Sequence, residues 1–170
     1  LLGYRNDGTM GEIRHIEANY LRRRGIPGRG SWFTRKAMAG GGSLIDIGVH
    51  AIDLSLYLLG FPEVVEVSGR TRATFGTDSE YAYVSMWGED QGAGGFDVDD
   101  SATALIRCAN GVTVALEAAW ATNRPDSQEY YVRGTGAGAR LDLSDDSLEL
   151  YETIRTGIDH HRTSTVETES

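Results

Sequence analysis

Cysteine and basic residues are scarce in this sequence. Cys108 is the single cysteine among 170 residues, which excludes an internal disulfide framework and a cysteine-rich zinc site. A lone cysteine is also typical of proteins kept in a reducing cytoplasm. The 16 Lys and Arg residues are outnumbered by 25 Asp and Glu residues, which gives a net charge of -9. This charge disfavours nucleic acid and anionic membrane surfaces as the main partners.

Long apolar runs and an initiator methionine are missing as well. We find no uninterrupted apolar stretch of the length that a membrane helix needs, and the first residues are too few for a signal peptide. We therefore expect a cytoplasmic protein. Because the chain begins at Leu1, we expect a piece of a longer protein or an incompletely observed chain. The hydrophobic content of 40% is enough for the core of one domain.

One apolar segment, residues 43–60, carries a polar stripe. Five polar residues recur in it at steps of three or four: Ser43, Asp46, His50, Asp53 and Tyr57. In a helix they share one face. Short acids, an imidazole and a phenol on that face, instead of the Lys and Glu of a solvated face, indicate a mostly buried helix that turns the stripe toward a specific partner. We predict Ser43 as the N-cap and Gly60 as the terminator, with Pro62 preventing continuation.

The rest of the chain has the patterns of strands and turns. Asn110-Gly111 is a strong hairpin signal, because both residues tolerate the positive φ of a tight turn. We predict strands at 13–21, 63–75, 81–87, 102–108, 112–120, 128–133, 140–143 and 148–151. Residues 157–170 are polar and acidic, so we expect a frayed tail there. The pattern predicts an α+β fold: an open, largely antiparallel sheet with one long buried helix packed on one face.

Asp46 and His50 are the strongest candidates for chemistry. One helical turn apart, the carboxylate can accept a hydrogen bond from one imidazole nitrogen and leave the other free for general acid–base work. The alternative is a buried pair that only fixes the packing. A metal site of Asp46, His50 and His15 is disfavoured, since it lacks a convincing further ligand, and we expect no metal.

The loop that precedes the stripe is rich in arginine, from Arg22 to Arg29, and leads to Trp32. Its guanidinium groups could bind a phosphate or carboxylate, and Trp32 could stack on a sugar or a nicotinamide ring. A solvated loop with one aromatic anchor is the alternative. The candidate substrate-binding residues are Arg23, Trp32 and Asp53, and Trp32 is also the candidate cofactor contact.

The segment 40–53, followed by Tyr57 to Pro62, resembles the second domain of the Gfo/Idh/MocA oxidoreductases, the family of glucose–fructose oxidoreductase and inositol dehydrogenase. Gly11-Glu12-Ile13, Asp99-Asp100-Ser101-Ala102 and Leu116 to Trp120 support the resemblance. It implies a dihydrodipicolinate reductase-like C-terminal domain that closes the substrate site and forms a homodimer through its sheet. It also implies His50 as the acid/base, assisted by Asp46.

The same resemblance implies an N-terminal Rossmann domain that holds NAD or NADP, and hydride transfer on a sugar, inositol or related polyol. The chain has neither a Rossmann fingerprint nor the family's Glu-Lys-Pro motif. We therefore divide it into a linker remnant at 1–10, the C-terminal α/β domain at 11–156 and a polar tail at 157–170. We expect the fragment to be inactive alone and to bind no dinucleotide tightly. A stand-alone dimerisation or sugar-binding module without catalytic activity is the alternative.

Overall fold

Eight strands form one sheet in the order β2-β3-β4-β1-β5-β6-β7-β8. The computed structural model describes residues 1–83, 87–156 and 158–166. β1 and β4 run parallel, and every other neighbouring pair is antiparallel. The strands are β1 (Ile13–Leu21), β2 (Val64–Arg72), β3 (Ser101–Cys108), β4 (Thr113–Ala119), β5 (Ser127–Gly134), β6 (Ala137–Asp142), β7 (Ser147–Thr156) and β8 (Ile158–Val166). The largely antiparallel sheet and the Asn110-Gly111 hairpin are confirmed.

The helical elements lie on one face of this sheet. They are α1 (Leu2–Asn6), a 3-10 turn (Trp32–Thr34), α2 (Lys36–Ala39), a π-helical turn (Leu44–Gly48) and α3 (Val49–Leu59). α3 buries Ala51, Ser55 and Leu58 against the sheet. It ends at Gly60, whose φ of 79° is the left-handed conformation predicted for a terminator. The α+β architecture with one long helix on one face is confirmed.

Strand alternation creates two cores on the helix face. The first lies beneath α3, where β1 and β4 contribute Ile16, Val114 and Leu116. The second lies at the end of the sheet, around the fully buried Trp120, and includes residues of the loops 22–34 and 74–100. The start of the helical segment sits where these two cores meet, because Ile47 belongs to the second core and Ala51 to the first.

The strand predicted at 81–87 is wrong at the described positions. Residues 81–83 and Trp87 lie outside any strand, and residues 84–86 lie outside the described part of the chain. Tyr81 is buried because its ring packs in the second core, where its hydroxyl oxygen accepts a hydrogen bond from the backbone N–H of Ile26 at 3.3 Å. The apolar residues that suggested a strand therefore anchor a loop.

The expectation of a frayed tail after residue 156 is also corrected. β8 pairs antiparallel with β7 and forms one edge of the sheet. Its polar composition concealed it, because strand pairing uses backbone groups and an edge strand needs little apolar surface. Residues 157 and 167–170 lie outside the described part of the chain.

The helical stretch Lys36–Leu59 is apolar on average, but Asp46, His50 and Asp53 interrupt it, so it does not contradict the expectation of no long uninterrupted apolar run. With a mean hydropathy of 1.4 over 18 residues, it is long and apolar enough to cross a membrane by those criteria alone. The core helix of a globular domain meets the same criteria, and α3 packs on the sheet in that manner. The stretch is thus weak evidence for a membrane helix.

Candidate active site

Asp99 anchors the start of the helical segment that carries Asp46 and His50. Its Oδ1 accepts the backbone N–H of Gly42 at 3.0 Å, and its Oδ2 accepts the N–H of Leu44 and the hydroxyl of Ser43, both at 2.8 Å. Ser43 stands at the predicted N-cap position, directly before the π-helical turn, but it has helical dihedrals and its side chain makes no capping bond. A carboxylate 56 residues away does the capping instead, and it ties the helix to the start of β3.

The neighbouring Asp100 does the same for the loop after β2. This fully buried carboxylate accepts the backbone N–H groups of Phe75 at 2.6 Å and Gly76 at 2.8 Å. Burial raises the pKa of Asp100, although these hydrogen bonds act in the opposite direction. Asp99 and Asp100 together hold two loops at the same end of the sheet.

Trp120 holds Asp46 in place. Its indole Nε1–H donates to Oδ2 of Asp46 at 2.8 Å, and the indole itself is fully buried. Asp46 is half-buried inside the π-helical turn. A buried donor on a rigid ring leaves this carboxylate little freedom to rotate.

His50 follows Asp46 by four residues on the same helical segment, and its side chain is exposed. Among the described residues, no hydrogen bond joins it to Asp46, so the predicted carboxylate–imidazole bond is absent. Two physical reasons apply. Trp120 already occupies one oxygen of Asp46, and the π-helical turn changes the angular offset between positions 46 and 50 from that of an α-helix.

The later part of the polar stripe faces outward in this chain, whereas Ser43 at its start is fully buried. His50, Asp53 and Tyr57 are exposed, and the apolar Ile45 and Val49 beside them are 48% and 43% exposed. The helix is therefore only half-buried, whereas the sequence predicted a mostly buried one. A strip that combines apolar side chains with an imidazole and a carboxylate has the composition of a binding surface.

Aromatic rings connect Trp32 with the Asp46 end of this strip. Trp32 packs edge-on against Phe33 with centroids 5.2 Å apart, and Phe33 lies 5.7 Å from Trp120. Trp120 in turn bonds Asp46. The predicted residues Trp32 and Asp46 thus belong to one contiguous cluster, through two aromatic residues that the prediction of site residues did not include.

The arginine loop is more structural than predicted. Arg24 donates to the carbonyl of Thr122 and the side chain of Asn123, and Arg29 is buried. Arg23 is exposed, and only its backbone is engaged, with its N–H donating to Asp126 at 2.6 Å. Within the described residues, no hydrogen bond or ion pair joins Arg23 to the Asp46 cluster.

Metal chemistry has little support from the arrangement of side chains. In the described ranges, no group of three or more His, Cys, Asp or Glu residues is close enough together to hold a metal ion. His15 is on the opposite face of the sheet, where its Nδ1 lies 2.7 Å from the hydroxyl of Thr113. It therefore cannot join Asp46 and His50 as a third ligand.

Comparison with known proteins identifies the family. A family model described as the GFO/IDH/MocA C-terminal domain matches residues 5–140. The chain belongs to this family. D-glucoside 3-dehydrogenase of Escherichia coli (strain K12) is 37% identical over 137 residues, which are 79% of this chain and 38% of that protein.

Levoglucosan dehydrogenase gives a second relative in sequence and a neighbour in structure. The Pseudarthrobacter phenanthrenivorans protein is 32% identical over 123 residues, covering 68% of this chain and 31% of that protein. A solved levoglucosan dehydrogenase in complex with NADH and levoglucosan matches with a TM-score of 0.72 and 25% identity, over 96% of this chain and 42% of that one. The chain thus spans less than half the length of these relatives, and it matches the C-terminal domain of the GFO/IDH/MocA family.

Proposed function

We propose that this chain is the substrate-binding and dimerisation domain of an NAD(P)-dependent oxidoreductase that acts on a hydroxyl group of a pyranose sugar, with inositols and related polyols as the wider class. The observation that supports it best is the exposed His50, which follows Asp46 by four residues, while Trp120 binds the Asp46 carboxylate. These residues belong to a family domain that this chain shares with a D-glucoside dehydrogenase. The names of the relatives, a D-glucoside dehydrogenase and a levoglucosan dehydrogenase, favour a pyranose over an open-chain polyol.

In this proposal His50 moves the proton. Its imidazole removes the proton from the reacting hydroxyl during oxidation and returns it to the carbonyl oxygen during reduction. Asp46 supplies a negative charge on the same turn, which stabilises the imidazolium that forms. Asp53, exposed one turn further on, accepts hydrogen bonds from other hydroxyls, and Arg23 donates to the substrate from the loop.

The exposed surface around His50 suits one end of a dinucleotide. Ile45 and Val49 offer apolar area for a flat nicotinamide ring, while this chain has no Rossmann fingerprint for a pyrophosphate. When bound, NAD or NADP supplies the acceptor for the hydride that leaves the carbinol carbon. We assign the rest of its binding to a Rossmann domain of the same protein, so the isolated chain is expected to be inactive.

The wider assembly is part of the same proposal. The sheet face opposite α3 is open, and we assign it to a homodimer interface, since two such faces can meet across a two-fold axis. A cytoplasmic location fits the single, buried Cys108.

His50 provides the direct test. In the full-length protein, His50→Ala is expected to reduce kcat by about 10²–10⁴, the scale of a lost general acid–base group. His15→Ala is the matched control for the loss of an imidazole, because His15 lies on the other face of the sheet. Its oligomeric state is compared with that of the wild type, and at an unchanged state kcat should stay within about twofold. The kcat values of both variants are measured in steady-state oxidation of methyl glucoside and of levoglucosan, with NAD and with NADP. Unchanged turnover in His50→Ala would exclude His50 from the mechanism.

Cofactor binding tests the assignment of domains. Nicotinamide fluorescence, titrated into this chain and into one extended upstream by about 100–150 residues, is expected to report binding only for the longer chain. Binding to neither would favour a sugar-binding or dimerisation module without catalytic activity.

A further inference from the structure

Trp87 is a second half-exposed tryptophan beside the candidate site. Its ring packs edge-on against Phe33 with centroids 4.7 Å apart and planes at 76°. Trp32 packs edge-on against the same ring at 5.2 Å and 85°. Trp32 is 53% exposed and Trp87 is 51% exposed, so both indoles leave about half of their surface open. We call Trp32 and Trp87, with Phe33 between them, the aromatic platform.

The platform is fixed to the site from below. Phe33 contacts Trp120 with a centroid distance of 5.7 Å, and Trp120 donates its indole N–H to Asp46. Three ring contacts and one hydrogen bond therefore connect Trp87 and Trp32 to the carboxylate beside His50. Elsewhere on the chain, the exposed Phe61 has a ring contact with the exposed Tyr57, at a centroid distance of 6.2 Å, and among the described residues no ring contact joins it to the platform.

Hydrogen bonds and an ion pair join the two loops that carry the tryptophans. The backbone N–H of Gly28 donates to the carbonyl of Trp87 at 3.1 Å, and the N–H of Gln91 donates to the carbonyl of Arg29 at 2.8 Å. Arg29, only 4% exposed, binds both carboxylate oxygens of Asp90, at 2.8 and 3.1 Å. A bidentate pair of this kind is directional, so it fixes the position of one loop relative to the other.

We propose that Trp32 and Trp87 form a stacking platform for the pyranose ring, and that Trp87 is a residue that determines substrate affinity; this rests on the proposed function. A pyranose presents C–H groups on its ring faces and hydroxyls around its edge. Exposed indoles are rigid, amphipathic surfaces that take the apolar face at a low cost in conformational entropy. Hydroxyls at the edge remain free to reach His50 and Asp53.

The arrangement differs from that of an anchor that serves only packing. A tryptophan that serves only packing is buried, as Trp120 is. Trp87, in contrast, is about half exposed, and its loop is bonded to the loop that carries Trp32. Here the buried Arg29, paired with the partly exposed Asp90, holds the loop of a half-exposed indole that Phe33 and Trp120 connect to Asp46. Trp87 escapes notice in the sequence because it lies more than 50 residues from Trp32, at the start of a glycine-rich loop.

The test uses the full-length protein with NAD(P) and methyl glucoside. Trp87→Ala is expected to raise KM for the sugar about tenfold and to leave kcat and the KM for the cofactor within about threefold, because it removes binding that ground state and transition state share. Trp87→Phe should recover most of the affinity. Phe61→Ala, at an equally exposed aromatic residue, is the control and should leave every constant unchanged.

Other outcomes separate the two proposals. Turnover with an unchanged KM in Trp87→Ala would overturn the platform and leave the oxidoreductase function intact. The same result with a lower Tm would assign Trp87 to contact with another domain and would also overturn the platform. If the wild type turns over no sugar, the proposed function fails, and saturation-transfer NMR with methyl glucoside then decides. Saturation transfer to methyl glucoside that is seen with the wild type and lost in Trp87→Ala would support the platform. Equal transfer in the two proteins, or none with the wild type, would overturn it.

Discussion

The two faces of the sheet use the same residue types in different ways. On the helix face, carboxylates accept hydrogen bonds from groups that cannot move: Asp99 and Asp100 from backbone N–H groups, and Asp46 from a buried indole. On the open face, the exposed carboxylates pair with long, solvated arginines, as in Arg107–Glu66 and Arg133–Glu17, although one cluster there, Arg140 with Glu129 and Asp142, is largely buried.

The buried hydrogen bonds fix the positions of side chains, whereas the exposed ion pairs mainly keep the surface soluble. Short, buried hydrogen bonds to rigid donors define one geometry, and each is costly to lose. Exposed ion pairs can exchange partners and are screened by salt, so each contributes little to stability. The face that holds His50 therefore has to be specified in detail, whereas the face assigned to the dimer can vary in its pairs.

The largest expected effect comes from breaking the helix anchor. A Cβ on Gly42 would lie 1.8 Å from the carbonyl oxygen of Asp99, so Gly42→Ala has to push the helix start off the sheet. We expect a loss of more than about 3 kcal/mol in the free energy of unfolding, measured by urea denaturation. Gly94→Ala is the matched control, since a Cβ there has no neighbour within 4 Å. Equal stability of the two variants would contradict this account of the anchor.

A middle-sized effect is expected at Trp120. Trp120→Phe keeps an aromatic ring in the core but removes the N–H that Asp46 accepts. We expect a loss of about 1–2 kcal/mol in the free energy of unfolding and about a tenfold lower kcat in the full-length protein. Trp32→Phe, at a half-exposed ring, should change stability by less than about 0.5 kcal/mol. A stability loss without any change in kcat would show that the bond to Asp46 serves packing alone.

The smallest effect is expected on the open face. A double-mutant cycle of Glu17→Gln and Arg133→Gln, measured on this chain as a monomer at low concentration, should give a coupling energy below about 1 kcal/mol, because both side chains are more than one-third exposed there. The coupling should fall further in 1 M salt. A coupling above about 2 kcal/mol that persists in salt would erase the contrast between the two faces.

Local patterns predicted much of the fold, and contacts between distant segments account for the errors. β1 was predicted at its observed bounds, and the Asn110-Gly111 hairpin and the end of α3 at Gly60 were also anticipated, because alternation and glycine chemistry act within a few residues. The anchor by Asp99 and the bond from Trp120 to Asp46 span 56 and 74 residues, and no local pattern encodes them.

The candidate site was predicted in part for the same reason. Periodicity placed Asp46 and His50 on one segment, but it assumed an α-helix and so implied a bond between them that the described residues lack. Their catalytic role remains a prediction. β8 was missed because an edge strand of polar residues looks like a tail, and Trp87 because the pattern of residues 81–87 predicted a strand there.

The π-helical turn Leu44–Gly48 affects how the chain responds to a change in the length of this segment. A π turn holds one residue more than the α-helical turn it replaces, so it behaves as a single-residue insertion that the helix has absorbed. Deleting one residue between Gly42 and Val49 would therefore let the turn return to α-helical geometry and leave His50 and Asp53 close to their present directions. Deleting one residue of α3 between His50 and Asp53 has no such turn to draw on, so it would rotate Asp53 by about 100° relative to His50. Among relatives, a change of length in the turn is thus expected to preserve the function, whereas a change of length within α3 would alter it.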